Sequence, residues 1–361
     1  MGLELRFGAI VLAAGAGRRL GTPKALAQLG GESFLERAVK ALRGGGVSKI
    51  LVVGGCSFDE VERGASRLGV SVVFNPNWEG DMFSSVKVGV GAMGDEVDAF
   101  FVLPVDHPLV RPCTIRSLAL AWRGRPLYLV PTFAGRRGHP PLISSSLKLY
   151  LLEHEGEGGL SAFLRRFEGR EVPTWDKGVV MGVNSKEDLR EAQRMLGRAN
   201  RPTEEECLEL LSLLGASDRI VRHCLKVKEV AMGIARFVEG VDLDLLESAS
   251  LLHDLARGRS RHDALAHRFL RCLGLVEVAE VVLRHMELLD PGSSSWEQKI
   301  LFLADKLVVE DELVGLEARL HRALSRVGDA EGLASARRRI GQAEAILEEL
   351  RSRGFDLGAL L

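Results

Sequence analysis

Three groups of residues in this chain have the types and spacing to do chemistry. The first is the stretch IVLAAGAGRRLGTPKAL, residues 10 to 26. An apolar run stops at Gly15 and Gly17, and Arg18, Arg19 and Lys24 follow closely. Glycines let backbone amides approach an anion, and the cations neutralise its oxygens. Counting excludes two common versions of such a loop. A dinucleotide fingerprint needs G-x-G-x-x-G, but Gly21 comes one residue late. A Walker loop ends in G-K-[ST], but Lys24 lies between Pro23 and Ala25. A plain glycine turn with exposed basic residues is the remaining alternative.

The second group centres on Asp106, at the end of the apolar run DAFFVLPVD (98 to 106). Open α/β sheets place their sites at the C-terminal ends of strands. A carboxylate there suits Mg²⁺, which takes oxygen ligands together with substrate phosphates. Capping the next helix is the plainer role. The third group is His223, the pair His253-Asp254, and Asp305. Asp305 interrupts the apolar helix pattern KILFLADKLVV. A carboxylate buried in such a run is costly unless it is paired or binds a cation.

These residues need elements to position them. The runs at 8–13, 49–53, 70–74, 98–106 and 127–133 read as buried strands, and the region 171–183 as a further strand source. Residues 33–46 and 82–93 have helical spacing between them. Strands alternating with helices predict an α/β fold: a Rossmann-like, mostly parallel sheet with helices on both faces. Near residue 197 the texture changes to polar GRANRPTEEE, and helical periodicity then runs to the C-terminus. This predicts two domains, residues 1–198 and an all-α domain over 203–361 that ends in an amphipathic helical hairpin over about 313–352.

The 361 residues carry a net charge of −1, so bulk electrostatics give no reason to expect nucleic acid or an anionic membrane as partner. No apolar run reaches bilayer length, and the start MGLELRFG lacks a signal-peptide h-region. Cys56, Cys113, Cys207, Cys224 and Cys272 are scattered, without a C-x-x-C pair. They predict reduced, buried thiols in a cytoplasmic protein.

LAAGAGRRLGTPK resembles the signature L-A-A-G-x-(S/G)-x-R-x-G-x-P-K of nucleotidyltransferases that activate sugars, alcohols and the molybdenum cofactor. The resemblance implies that Leu12, Ala13, Ala14, Gly15, Gly17 and Arg18 wrap the triphosphate of an NTP. It makes Arg19 and Lys24 the catalytic cations. NPNWEGDMFSSVKVGV (75–90) is similar to the N-P-x-W-x-x-G-x-x-S-S stretch of molybdenum cofactor cytidylyltransferases, which adds Ser84 and Ser85 to the nucleotide site. LPVDHPLV sits where that family has P-x-D-M-P-L, so Asp106 becomes both catalytic and a Mg²⁺ ligand. GRRGHPPLI resembles the family's G-R-R-G-H-P, which places Gly138, His139 and Pro140 at the second substrate. GVVMGVNSKEDL departs from the closing D-x-D-T-P-E-D-L, with Gly182 and Asn184 in place of the aspartates. Sugar-1-phosphate uridylyltransferases carry G-V-N there with the Asn on the metal, which keeps Asn184 as a ligand beside Asp106.

In the second half, the order H…HD…D resembles HD-domain metal-dependent phosphohydrolases. The resemblance makes His223, His253, Asp254 and Asp305 metal ligands, with His262 and His285 completing a second position. One or two divalent ions of the Mn²⁺, Fe, Zn²⁺ or Mg²⁺ kind are implied. His267 is expected to pack or face solvent, and Arg257-Gly258-Arg259 to hold a phosphate or cap a helix.

Together these resemblances imply CMP transfer from CTP to molybdopterin cofactor, fused to hydrolysis of an unknown phosphorylated substrate. They leave open a molybdoenzyme that awaits its cofactor as a partner. A sugar- or alcohol-phosphate nucleotidyltransferase is the alternative within enzymes, and a nucleotide-sensing regulator without turnover the alternative outside them.

Overall fold

The computed structural model describes residues 5–198, 200–324 and 330–360. The chain divides into two compact units, Met1–Gly197 and Arg198–Leu361. The first is built on one sheet. In chain order its strands are β1 (Phe7–Ala13), β2 (Lys49–Gly54), β3 (Ser71–Phe74), β4 (Ala99–Pro104), β5 (Tyr128–Phe133), β6 (Leu142–Ser144) and β7 (Arg170–Pro173). Across the sheet they run β7-β5-β6-β4-β1-β2-β3. All neighbouring pairs are parallel except those of β6, which is antiparallel to both β4 and β5. Two-residue Arg136–Arg137 also pairs antiparallel with β5.

Helices cover both faces, so the central strands are apolar throughout rather than alternating. Side chains along β1 point to opposite faces. Ala9, Val11 and Ala13 join the core under Phe34–Gly44, whose N-terminus is closed by the Ser33–Glu36 capping box. Ile10 and Leu12 pack with Phe83, Val86 and Val90 of the helix Met82–Ala92. This alternation decides which residues at the end of β1 can reach a ligand.

The region 171–183 corrects an expectation. Only Arg170–Pro173 is strand, and Lys177–Val180 is a 3₁₀ turn. The fully buried Asp176 is the cause. Its carboxylate accepts from the Arg111 and Gly178 N–H groups and the Thr114 hydroxyl, which pins the chain in a turn. Strand β6, within GHPPLIS, is too short for its pattern to reveal.

The second unit is helical. Asp218–Ala235, Leu243–Leu252, His262–Cys272, Val276–Val282 and Trp296–Leu307 form its body, preceded by Glu204–Leu213. A short ribbon, Val308–Val309 with Glu312–Leu313, leads to Leu316–Leu324 and Ala330–Arg351. The turn of the expected hairpin, 325–329, lies outside the described residues, as does the start of MGLELRFG. Among the described residues no helix is long and apolar enough to cross a membrane. All five cysteines are free thiols, but only Cys207 and Cys224 are buried. Cys272 is exposed, because it lies at the end of a surface helix and off its core face.

Gly89 sets how closely Met82–Ala92 lies on the sheet. A Cβ there would sit 2.4 Å from Ile10 Cγ2 and 3.1 Å from Val53 Cγ2. Gly89→Val should therefore overpack the interface and lower stability by about 1–3 kcal/mol in urea denaturation. Unchanged stability would show that the helix is not seated this tightly.

Candidate functional site

The glycine loop after β1 turns back on itself. Gly17 has φ +61°, and a Cβ there would meet Thr22 O at 1.9 Å. Its carbonyl accepts from the N–H groups of Leu20 and Gly21 at 2.9 and 3.0 Å. The fold-back brings Lys24 under the end of β1. There its Nζ donates to Asp106 Oδ2 at 2.6 Å and to Asn184 Oδ1 at 2.6 Å. Three segments far apart in the chain thus place two oxygens on one cationic point.

Each oxygen is held from behind. Asp188 accepts from the Asn184 and Ser185 N–H groups, both at 2.9 Å, and fixes the Asn184 loop. These bonds, with the nearby charge of Arg19, hold the Asp188 carboxyl below its ordinary range. Asp106 lies at the end of β4, and it does not cap the next helix, whose N-cap is Arg111. Burial pushes the Asp106 carboxyl up. His107 and Lys24 outweigh it and keep the group well below the usual carboxylate range. An ionised carboxylate and an amide oxygen converging on one cation form a hard donor set that fits Mg²⁺.

A cleft of about 600 Å³ opens at this point, lined by Leu12, Ala14, Gly15, Lys24, Ser85 and Asp106 among others. Three residues expected at the nucleotide are placed elsewhere. Ala13 is buried on the opposite face of β1, as strand alternation requires. The Ser84 hydroxyl is consumed locally. It accepts from Asn75 Nδ2 at 2.9 Å and contacts the Asp81 carbonyl at 2.8 Å, locking the 75–81 loop to the helix start. Gly17 is buried as the pivot of the loop. Arg18 and Arg19 are exposed beside the loop.

A second cavity of about 710 Å³ shares Met82 with the first. Its wall includes Val130, Arg137, Gly138, His139, Leu160 and Leu164. Pro140 is buried, and Pro141 takes its place in the wall. A residue that motif reading passed over connects the two cavities. His107 Nδ1 is 3.1 Å from Asp106 Oδ1, and its ring centroid is 4.6 Å from that of His139. Burial and then the neighbouring His107 push His139 down to about 3, so it is neutral at pH 7. Its buried Nδ1 has no partner. His107 was legible as the neighbour of Asp106, and Asp188 as the fourth residue of S-K-E-D, a helix-start pattern.

In the helical unit all six expected ligands meet. His223 comes from Asp218–Ala235, His253 and Asp254 from the end of Leu243–Leu252, and Asp305 from Trp296–Leu307. His262 opens the helix His262–Cys272, and His285 follows Val276–Val282. His223, His253 and Asp305 form one potential metal group, and Asp254, His262 and His285 another. Asp254 faces both. Its Oδ2 is 3.5 Å from His223 Nε2 and from His253 Nε2, and its Oδ1 is 3.8 Å from His262 Nε2 and 3.9 Å from His285 Nε2.

The donors are pre-oriented. The Nδ1 atoms of His223, His253 and His285 pair with the carbonyls of Glu310, Ser250 and Val282 at 2.7, 2.7 and 2.6 Å. Each pairing turns an Nε2 inward, as metal-binding histidines require. The buried Nε2 atoms of His253 and His285 have no hydrogen-bond partner, which a metal would supply. Lys306 donates to Asp305 Oδ2 at 2.7 Å and to the His285 carbonyl at 3.0 Å. Arg257 pairs with Asp254, while His267 sits 3.0 Å from Glu280 and away from the cluster. Buried nitrogens without partners and converging carboxylates fit one or two divalent cations.

Comparison with known proteins follows the same division. Residues 9–172 match the family model described as the MobA-like NTP transferase domain, and residues 220–309 match that of the HD domain. A protein named nicotine blue oxidoreductase, from Paenarthrobacter nicotinovorans, is 32% identical over 171 residues, which is 44% of this chain and 80% of that protein. A bifunctional IPC transferase and DIPP synthase from Rubrobacter xylanophilus is 39% identical over 142 residues. That match covers 36% of this chain and only 32% of the relative. A solved nucleotidyl transferase from Methanothermobacter thermautotroptrophicus is 24% identical, covering 54% of this chain and 98% of its own, with a TM-score of 0.47.

If the helical cluster holds metal, Mn²⁺ added to chelator-treated protein should raise the melting temperature. Asp254→Asn, which weakens the carboxylate that faces both groups, should lower the tight Mn²⁺ affinity at least tenfold in calorimetric titration. Equal affinity in the variant would contradict the shared-carboxylate geometry.

Proposed function

Because this chain belongs to the MobA-like NTP transferases and carries an HD domain behind that fold, we propose that it moves CMP from CTP to molybdopterin cofactor and releases pyrophosphate. The HD domain adds phosphohydrolysis of a further substrate. One observation carries the transferase reading. Lys24, Asp106 and Asn184 meet at the mouth of a cleft that adjoins a second cavity.

In this reading the first cleft holds the nucleotide, with Leu12, Ala14, Gly15 and Ser85 along its wall. Asp106 and Asn184 would hold Mg²⁺, which supplies charge neutralisation to the triphosphate when bound. Lys24, now paired with these two oxygens, would serve the phosphates instead. Arg19 is an exposed cation on the same loop. An acceptor phosphate oxygen attacks the α-phosphorus. A new P–O bond forms, the α–β P–O bond breaks, and the electron pair leaves with pyrophosphate. The acceptor is already anionic, so no strong base is needed. His139 is neutral and can hydrogen-bond the acceptor without adding charge.

The acceptor cavity supports the cofactor over a polyol. Val130, Leu160, Leu164 and Met82 give it apolar walls, with His139, Arg137 and Ser161 as its polar side chains. A flat heterocycle with one phosphate suits that balance better than a sugar that needs a partner for every hydroxyl. The second reading, a sugar- or alcohol-phosphate nucleotidyltransferase, is favoured by the G-V-N that carries Asn184 and by the relative named IPC transferase. Five free thiols and small-molecule chemistry support a cytoplasmic setting, where a molybdoenzyme awaiting its cofactor is the natural recipient of the product.

α-Labelled CTP with molybdenum cofactor should give a CMP adduct, and UTP or GTP should give far less. Lys24→Met should lower kcat/KM about 10²–10³-fold, the scale of losing a fixed charge on developing phosphate charge. Transfer to sugar or alcohol phosphates in place of the cofactor would move the assignment to the second reading.

A further inference from the structure

The ligand cluster of the HD unit opens on a cleft of about 630 Å³, and the chemistry of its wall limits what can bind there. The wall contains Ser217, Arg219, Ile220, His223, Arg257 and Glu310. His223 belongs to the ligand cluster, and Arg257 pairs with the Asp254 carboxylate that faces both potential metal groups. Arg219 lies at the mouth, paired with Glu310 at 2.7 Å, and its side chain is 64% exposed. Ile220 is the one apolar side chain among these described wall residues, there is no Phe, Tyr or Trp among them to stack on a base, and the His223 ring is turned to the ligand cluster. Nucleotide-recognising sites use apolar and aromatic walls to bind the base. This cleft offers two guanidinium groups, a hydroxyl and the adjoining ligand cluster instead. Guanidinium groups match phosphate oxygens bidentately.

We propose that the HD unit hydrolyses a compact polyanion without a base, namely inorganic pyrophosphate. The assignment rests on the phosphohydrolase reading of this unit and on pyrophosphate as the leaving group of the transferase reaction. Water attacks one phosphorus, a new P–O bond forms, and the bridging P–O bond breaks with its electron pair on the departing phosphate. Two orthophosphates result, and the protons of the water pass to the products and solvent. No oxidant, reductant or further reactant is needed. Arg257, beside the ligand cluster, and Arg219, at the mouth, hold the non-bridging oxygens. Nucleotidyl transfer to a phosphate exchanges one phosphoanhydride for another and is therefore close to balanced. Removal of pyrophosphate by hydrolysis would make it run forward. The two units need only share a chain for this, whatever their arrangement.

The test uses the full chain loaded with Mn²⁺. Orthophosphate release is measured with pyrophosphate, CMP, CTP and p-nitrophenyl phosphate as separate substrates. Binding of imidodiphosphate is followed by calorimetry. Pyrophosphate should have a kcat/KM at least tenfold above the others. Arg219→Ala, a change at an exposed position, should raise the KM for pyrophosphate at least fivefold with little change in kcat, and should weaken imidodiphosphate by a similar factor. During transfer from CTP, wild-type protein should release two orthophosphates per CMP moved, and Asp254→Asn should release intact pyrophosphate. Preference for CMP or CTP would overturn the pyrophosphate assignment while the phosphohydrolase reading stands. A metal-loaded chain that cleaves none of the four would overturn both.

Discussion

A carboxylate withdrawn from water has to be answered by positive charge, and both units are organised around that demand. In the first, Asp106 sits at the end of a strand that is apolar along its whole length. It stays ionised because Lys24 and His107 reach it. Lys24 reaches it only because the glycine loop folds back through Gly17, and Asn184 joins it only because Asp188 ties down its backbone. In the second, Asp254 and Asp305 are buried among helices, where Arg257 and Lys306 pair with them and four histidine rings turn toward them. Such arrangements are expensive to maintain for stability alone. They are well suited to receive divalent cations and phosphates.

The transferase unit shows how a sheet turns this demand into a site. Parallel order brings the ends of β1 and β4 side by side, so Leu12, Lys24 and Asp106 share one rim. Antiparallel β6 enters next to β4 and carries the His139 segment to the same rim. His107 then touches both Asp106 and His139. The Asp106 carboxylate and the His139 imidazole are in this way spaced by a single side chain. The family pattern has methionine at that position, so this chain sets the spacing with a ring that can also hydrogen-bond.

Much of this was legible in the residues. Continuous apolar runs and period-3.6 patterns located the major strands and helices, and the order of His223, His253-Asp254, His262, His285 and Asp305 named a cluster that the fold does assemble. What escaped was local competition for hydrogen bonds. Asp176 turned an expected strand into a 3₁₀ turn, and Asn75 and Asp81 drew the Ser84 hydroxyl away from the cleft. Ala13 fits the motif as well as Ala14 does, and only the alternation of β1 sends it to the core. Cys272 shows that helical spacing alone does not bury every thiol. His107 and Asp188 act through other residues, and a motif reading weighs a residue by its own chemistry.

The central claim is that Asp106 and Asn184 hold one Mg²⁺ that carries the nucleotide, with Lys24 moving onto the phosphates. A crystal structure of the chain with Mg²⁺ and a non-hydrolysable CTP analogue tests it most directly. The account predicts the ion within about 2.0–2.1 Å of an Asp106 oxygen and of Asn184 Oδ1, with Lys24 Nζ against a phosphate oxygen. A nucleotide bound with Lys24 still bridging Asp106 and Asn184, and the ion held elsewhere, would contradict it.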